Sequence, residues 1–438
     1  MRINDITIEN FRCFAHQHFS FDPGITVVIG NNTAGKTTLL SAVAISLGAY
    51  FRCLKHLKGS QAVRCDFKEG DRMMTYNAKN KDYLPSDAPT QIAVQAAFTV
   101  SRHGNYMTQP VRWYRKLTDK GSTTHNRECC GELMDIVEDM ETKRWSKDID
   151  DTAIYPLVLS FGTNRIDAQF KTYKKTKERQ QRLGKGYRAA LKSDSVDFAS
   201  AMEWLNRYDK DLKDGKEFDG TREAFFEAMG KAIPALTELT LDNREIEAVV
   251  KVSNRNAERH HYSYMSDGFK ALINIVSEIA YRCIMLNGYL GREAVRLTPG
   301  VVLIDEVDLY LHPHWQRHVL QDLKEAFPNI QFIVTTHSPF IIQSVGEGQL
   351  ISLDNDVDVD EAPDTLSLEE IAASYMDMNN LLRSKQYQKM YNAAAEYYRL
   401  SQKDKATPED LERLQNLEAE FSHNPVYAAV VNAMIEKK

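Results

Sequence analysis

The chain has 438 residues, of which 26% are charged, and its formal net charge is −6. At about 150 residues per domain, this length predicts two or three folding units. The small acidic excess excludes a protein that is basic throughout, so any nucleic-acid contact requires a local basic patch. The six cysteines include no C-x-x-C pair, which argues against a zinc or disulfide framework and favours a reducing compartment.

No stretch of the sequence has the character of a membrane segment. It contains no run of 18 apolar residues, and residues 1–6 have the pattern of a first strand rather than of a charged-then-apolar leader. We therefore expect a soluble, cytoplasmic protein without a membrane partner.

A short stretch near the N-terminus predicts a nucleotide site. Residues 2–29 carry strand patterns that end at Gly30, and apolar residues resume at helical spacing from Leu39. The loop between them, Gly30–Thr37, fits the phosphate-loop pattern G-x-x-x-x-G-K-[ST]. In that pattern the loop N–H groups cradle phosphates, Lys36 reaches the β/γ oxygens and Thr37 binds Mg²⁺. The phosphate-binding candidates are Gly30, Asn31, Asn32, Thr33, Ala34, Gly35, Lys36, Thr37 and Thr38.

Strand patterns continue beyond this loop. Residues 62–67, 91–100 and 111–117 predict an antiparallel sheet beside the nucleotide site. A buried strand pattern at 155–162 then ends at Gly162. The polar residues Thr163, Asn164 and Arg165 follow it, and we expect their loop to approach the ligand.

The segment that follows is strongly basic. Residues 171–192 hold nine Lys and Arg residues and one acid, Glu178. Two interpretations remain open: contact with nucleic-acid phosphates, or a solvated helical arm whose charges only face water. Apolar residues from Phe198 to Met229 recur at helical spacing and predict the core of a small helical insertion.

The second half of the chain places polar residues after predicted strands. Ser266-Asp267-Gly268 precedes a long apolar helix, 271–286, and alone would predict a helix cap. The strand 301–304 ends in Asp305-Glu306, and the strand 331–336 ends in His337, with a helix predicted at 311–327. Strand-helix-strand order brings such residues to the carboxyl edge of a parallel sheet, where α/β folds bind ligands.

The C-terminal part is acidic and then helical. Residues 351–370 hold eight acids and no Lys or Arg, a pattern that is more typical of a solvated loop than of a metal site. Residues 366–438 predict amphipathic helices. These helices either pack on the nucleotide-binding part of their own chain or form a docking surface for an effector or another subunit, and we favour docking.

Together these stretches resemble the ATP-binding cassette (ABC) ATPases, in particular the SMC-like branch with RecF-type repair proteins and the overcoming-lysogenization-defect and Septu-type defence ATPases. The resemblance covers residues 1 to about 60 and about 155 to 345. The matching motifs are Ile8–Arg12 (opening strand, with Arg12 as a nucleotide contact), Gly30–Thr37 (Walker A), Met265–Gly268 (signature), Asp305-Glu306 (Walker B), Asp308 (D-loop) and His337 (switch histidine).

The resemblance implies an α/β ABC-ATPase head, with mixed and parallel sheets and flanking helices, that binds ATP and Mg²⁺. Its implied segments are an N-terminal lobe (1–165), a basic helical insertion (166–238), a C-terminal lobe (239–350), and an acidic linker with a helical tail (351–438).

The resemblance also implies the role of each site residue. Lys36 would hold the phosphates, Thr37 and Asp305 the Mg²⁺ shell, Glu306 would orient or deprotonate water, and His337 would contact the γ-phosphate. Ser266 and Gly268 would act in trans, which implies a head-to-head dimer or a higher homo-oligomer.

Three positions depart from the pattern of this branch. Thr33 stands where the branch often has Gly, which we expect the loop to tolerate if Thr33 avoids positive φ. Phe269 replaces a polar residue after the signature Gly. The branch has a Q-loop Gln, which contacts the metal or water, in the loop after the strand that contains Leu159. Here this loop has Asn164 and Arg165, and the more distant Gln169 is a weaker candidate.

These features predict an ATPase of antiphage defence that regulates a separate effector, which we expect to be a nuclease. Relatives with a built-in nuclease carry a Toprim domain after the switch histidine, whereas residues 338–438 are short for one. The alternative is a RecF-type DNA repair or recombination ATPase, and DNA contact through residues 171–192 is compatible with both.

Overall fold

The computed structural model describes two compact units, Met1–Leu368 and Glu369–Lys438. The described residues are 1–57, 65–102, 105–145, 153–165, 182–192, 196–242, 244–251, 257–354 and 362–376, with scattered positions from 389 to 417. Most of the predicted basic arm and most of the predicted tail helices lie outside the described residues.

The first unit is of mixed α/β type. Its strands are β1 (Arg2–Phe11), β2 (Phe14–Ser20), β3 (Ile25–Ile29), β4 (Met74–Asn77), β5 (Asp82–Pro85), β6 (Gln91–Arg102), β7 (Asn105–Lys116), β8 (Leu157–Phe161), β9 (Leu236–Asp242), β10 (Glu245–Val250), β11 (Glu258–His261), β12 (Gly300–Ile304), β13 (Ile330–Thr335) and β14 (Leu350–Ser352). The α-helices with bounds in the described part of the chain are α1 (Lys36–Cys53), α2 (Arg127–Arg144), α3 (Arg182–Tyr187), α4 (Phe198–Lys213), α5 (Thr221–Ala232), α6 (Asp267–Asn287), α7 (Ala294–Leu297), α8 (Pro313–Gln316), α9 (Val319–Ala326), α10 (Pro339–Ile342) and α11 (Leu368–Tyr375).

A five-stranded parallel sheet forms the centre, in the order β14-β3-β13-β12-β8. The strands β3, β8, β12 and β13 are buried along their whole length, because covered parallel sheets need apolar side chains on both faces. In the register of the sheet, Val334 of β13 pairs with Ile304 of β12 and with Val27 of β3. All five strands therefore end at the same edge.

A second sheet is antiparallel, in the order β2-β1-β6-β7, and confirms the strands predicted at 91–100 and 111–117. The strand predicted at 62–67 is wrong where the structure describes it, because residues 65–67 form no strand, and residues 62–64 lie outside the described residues. The side-chain amide of Gln331, which is 1% exposed, joins it to the parallel sheet. Gln331 Oε1 accepts from the Ile3 N–H at 2.8 Å, and its Nε2 donates to the Ile3 carbonyl at 2.8 Å and to that of Asp22 at 2.9 Å. The Gln331 side chain on β13 thus pairs with both backbone groups of Ile3 on β1, as a neighbouring strand would.

Helix α6 is buried on almost all sides. Helices α3, α4 and α5 pack against it, and Trp204 of α4 contacts Tyr281 of α6 with 6.0 Å between ring centroids. The apolar residues from Phe198 to Met229 that were predicted to form a core are buried on α4 and α5, and these helices belong to the first compact unit. None of the helices in the described part of the chain is long and apolar enough to cross a membrane.

Residues 182–192 are the described end of the basic segment, and in them the side chain of Arg182 binds other groups of the fold. Arg182 donates to Glu217 at 2.8 Å and to the carbonyl of Ile284 at 2.9 Å. DNA contact through residues 171–192 stays a prediction, and these contacts of Arg182 are to its own fold.

The predicted helix at 311–327 is wrong as a single element. It begins at Pro313 and is divided into α8 and α9. Proline disfavours helical backbone at the preceding residue, and His312 is accordingly extended, with φ −63° and ψ 142°.

Replacing Gln331 by Leu should lower the free energy of unfolding by about 2–4 kcal/mol, because the buried N–H and C=O groups of Ile3 would lose their partners. Gln321→Leu is the matched control, since Gln321 is exposed on α9, and it should change stability by less than about 0.5 kcal/mol. Denaturant unfolding measures both, and equal stabilities for the two variants would contradict the assigned role of Gln331.

Candidate nucleotide site

The Walker A loop leads from β3 into α1 with a backbone that depends on glycine. Gly30 has φ +150° and Gly35 has φ +107°. A Cβ atom at Gly35 would lie 2.8 Å from the ring of Phe14 and 2.9 Å from the sulfur of Cys13. The close approach of the β1–β2 turn therefore excludes a side chain at Gly35, where α1 begins.

Thr33 adopts a positive φ of 74°. We expected the loop to tolerate Thr33 only if this residue avoided positive φ, and it does not. A β-branched residue is strained in this region of backbone conformation. The loop turns tightly here, with the Ala34 N–H donating to the Asn31 carbonyl at 3.1 Å. Turn closure holds Thr33 in a conformation that glycine would adopt freely.

Lys36 folds back onto its own loop. Its ammonium donates to the carbonyl of Gly30 at 2.7 Å and to that of Asn31 at 3.1 Å, and the residue is 9% exposed. Burial lowers the pKa of Lys36, while the charges of Asp354, Asp305 and Glu306 oppose that change. A buried ammonium at the N-terminus of α1 is suited to binding an anion.

Walker A and Walker B meet at Thr37 and Asp305. The Thr37 hydroxyl donates to Asp305 Oδ2 at 3.0 Å, and the Thr335 hydroxyl donates to Asp305 Oδ1 at 2.6 Å. Hydroxyl and carboxylate oxygens are the ligands that Mg²⁺ prefers. This donor pair therefore fits the Mg²⁺ shell that the sequence predicts.

Glu306 adopts a left-handed backbone conformation, with φ 48°. Its N–H donates to the Thr335 hydroxyl at 2.8 Å, and its carbonyl accepts from the Leu309 N–H at 2.9 Å. Residues other than glycine keep such a backbone conformation only where their surroundings hold them in it. Residues in such conformations are concentrated at functional sites. The structure thus fixes the direction in which the predicted catalytic carboxylate leaves the strand.

The D-loop and switch residues follow the same edge. Asp308 accepts a hydrogen bond from the Thr336 hydroxyl, which joins the segment after β12 to the segment after β13. His337 is exposed one residue further on. Next to it, the Ser338 hydroxyl donates to Gln316 at 2.6 Å, so the turn that carries His337 is anchored to α8.

The signature residues lie at the start of α6. Ser266 occupies the N-cap position, yet its hydroxyl makes no capping hydrogen bond within this helix, and the residue is exposed. A Cβ atom at Gly268 would lie 2.7 Å from the Tyr310 carbonyl, so glycine allows the D-loop region to approach. Phe269 packs edge-on against Trp315, with centroids 4.3 Å apart, which explains an apolar residue at this position.

A family model described as an AAA domain matches residues 5–259, which is more than half of the chain. The chain belongs to the AAA domain family. It is 26% identical over 407 residues to the Retron Vc95 probable ATPase of Vibrio cholerae serotype O1 biovar El Tor, covering 82% of this chain and 74% of that protein. It is 24% identical over 398 residues to the Retron Ec83 probable ATPase of Escherichia coli, covering 81% and 72%.

A third relative of this AAA domain protein is the Septu protein PtuA of Bacillus thuringiensis. The two are 40% identical over 113 residues, which is 25% of this chain and 27% of PtuA. Family membership and these relatives confirm the sequence-based identification of an SMC-like, ABC-type ATPase of the branch that includes Septu.

Arg12 of this AAA domain is engaged with protein groups. Its guanidinium donates to Asp71 at 2.9 Å and to the Ser41 hydroxyl of α1 at 3.3 Å, and its φ is 51°. It therefore ties the end of β1 to the helix that follows Walker A. A direct nucleotide contact by Arg12 stays a prediction.

Arg165 has a role that the sequence did not indicate. It lies where a Q-loop Gln was sought, but it is 1% exposed, and its guanidinium donates to the carbonyls of Asp305 and Glu306. Burial lowers its pKa to about 10. Its own carbonyl accepts from Asn274 of α6 at 3.0 Å, so Arg165 links the Walker B backbone to the signature helix.

Replacing Arg165 by Met should lower kcat for ATP hydrolysis by about 100-fold, because the Walker B backbone would lose the donors that position Glu306. ATP binding should change much less, since Lys36 and the Walker A loop stay in place. Steady-state hydrolysis and equilibrium ATP binding measure the two effects.

Arg207→Met is the matched control, because Arg207 lies on the exposed side of α4. Arg165→Lys should rescue little activity, since one ammonium cannot replace both the Nη2 contacts to the Asp305 and Glu306 carbonyls and the Nε contact to the Gly162 carbonyl. Full activity in Arg165→Met would contradict this assignment.

Proposed function

We propose that this AAA domain protein is a Mg²⁺-dependent ATPase of antiphage defence, whose heads close on ATP as a dimer and thereby control a separate nuclease. The observation that carries the proposal is the meeting of Thr37 and Asp305 at 3.0 Å, beside Lys36 and Glu306. The defence role is supported by the retron and Septu relatives.

The charge pattern suits phosphoryl transfer to water. Lys36 and the Walker A amides would hold the β- and γ-phosphates, and Thr37 and Asp305 would hold Mg²⁺, which neutralises charge on the phosphoryl oxygens. Glu306 would orient the attacking water or accept its proton, and His337 would contact the γ-phosphate. Such positioning and electrostatic stabilisation account for most of catalysis in this reaction class.

Three features of the signature region favour a second copy as the partner of α6. Ser266 is exposed, and its hydroxyl is not used for capping within the described residues. Tyr264, two residues earlier, is 80% exposed, and Tyr310 beside Gly268 is 47% exposed. Exposed aromatic residues around a polar group are typical anchors of protein interfaces. We therefore propose that Ser266 and Gly268 act on ATP bound by the other subunit.

Lys36→Ala should abolish ATP binding, whereas Glu306→Gln should retain it and accumulate an ATP-dependent dimer, because only the first change removes a phosphate contact. Light scattering and equilibrium binding of ATP with Mg²⁺ measure both. Adding Ser266→Arg to Glu306→Gln should prevent the dimer without loss of ATP binding. A dimer that persists in this double variant would overturn the role of Ser266 in trans, and unchanged binding in Lys36→Ala would overturn the site.

Regulation of an effector predicts a nuclease gene beside this one and a complex of the two products. Co-expression should recover the complex with the wild-type chain, and nuclease activity in it should change when ATP is added. The complex with Lys36→Ala is the matched control and should not respond to ATP. A neighbourhood without a nuclease gene, or a nuclease that ignores ATP in the wild-type complex, would contradict the proposal.

A further inference from the structure

The acidic segment delivers one carboxylate to the Walker A loop. Strand β14 pairs in parallel with β3, with Ser352 opposite Ile29, and the Leu353 N–H donates to the Ile29 carbonyl at 3.0 Å. The chain therefore leaves the sheet directly beside Gly30. There Asp354 Oδ2 accepts a hydrogen bond from the Asn31 N–H at 2.8 Å.

The position of Asp354 is supported from two sides. Its own N–H donates to the Ser352 hydroxyl at 3.3 Å, which turns the chain at the end of β14. A Cβ atom at Gly30 would lie 3.2 Å from the Cβ of Leu353, so the glycine lets β14 come close to the loop. Both contacts lie at or next to the pairing of Ser352 with Ile29, so the register of the parallel sheet sets the position of Asp354.

Asp354 and Lys36 hold the same peptide group from opposite ends. Lys36 donates to the Gly30 carbonyl at 2.7 Å, and Asp354 accepts from the Asn31 N–H of that peptide. An ammonium and a carboxylate that share one peptide polarise it, and each stabilises the other's hydrogen bond. The carboxylate therefore favours the conformation in which Lys36 is bound to its own loop.

We propose that Asp354 is a positioning residue that sets the affinity of the Walker A loop for ATP, by holding Lys36 on the Gly30–Asn31 peptide and by placing a negative charge beside the phosphates. The proposal rests on the proposed ATP site. ATP has to take Lys36 from this peptide and to approach a carboxylate, and both requirements weaken its binding.

The test compares three variants of the full chain in equilibrium binding of Mg²⁺ with ATP or ADP. Asp354→Asn keeps an acceptor of the same shape and removes the charge, and it should tighten ATP binding by about three- to tenfold at low salt. The gain should be smaller for ADP, which carries less charge, and should shrink as salt is raised. Asp354→Ala should also tighten ATP binding, because it removes the same charge.

Asp364→Asn is the matched control, since Asp364 is an exposed acid of the same segment, and it should leave ATP affinity unchanged. Equal or weaker ATP binding in Asp354→Asn would overturn the proposal. The salt dependence separates a charge effect from a change in loop shape, because only the charge effect is screened. Binding that survives Lys36→Ala would instead overturn the ATP site itself, so the two failures are distinguishable.

Discussion

The parallel register of the central sheet is the constraint on which the site depends. Five strands from distant parts of the chain run in one direction, and each is followed at its carboxyl end by a segment that carries polar groups. A shift of one residue in any pairing would turn that strand's buried side chains to the other face. The packing of these side chains against both covered faces therefore also fixes where the candidate site residues lie.

Polar groups at this edge are held by other polar groups of the protein. Asp305 accepts from Thr37 and Thr335, and Arg165 donates to the Walker B carbonyls beneath it. Burying a guanidinium is unfavourable unless its donors are satisfied, and here the partners are the backbone carbonyls of Asp305 and Glu306, at the turn where Glu306 has a φ of 48°. The same hydrogen bonds thus give the buried guanidinium its acceptors and hold the strained backbone of Glu306 in place.

A chain of hydrogen bonds connects the signature helix to the backbone of the Walker B turn. The Tyr262 hydroxyl donates to Asn274 at 2.8 Å, Asn274 donates to the Arg165 carbonyl, and the Arg165 side chain binds the backbone at Asp305 and Glu306. Tyr262 lies four residues before Ser266 and is half-buried. Contact by a partner at the signature would therefore act on a helix that Arg165 links to the Walker B turn.

Local patterns in the sequence determined the elements and the motif residues. Continuous apolar runs predicted the buried strands, and Gly30–Thr37, Asp305-Glu306 and His337 could be assigned because each motif follows its own strand within a few residues. Only the tertiary structure decided the roles of Arg165, Gln331 and Asp354. Their partners lie 140, 328 and 323 residues away in sequence, and no local pattern records which strands are neighbours. The strand order and register of the sheets bring these residues together, and both are properties of the tertiary structure.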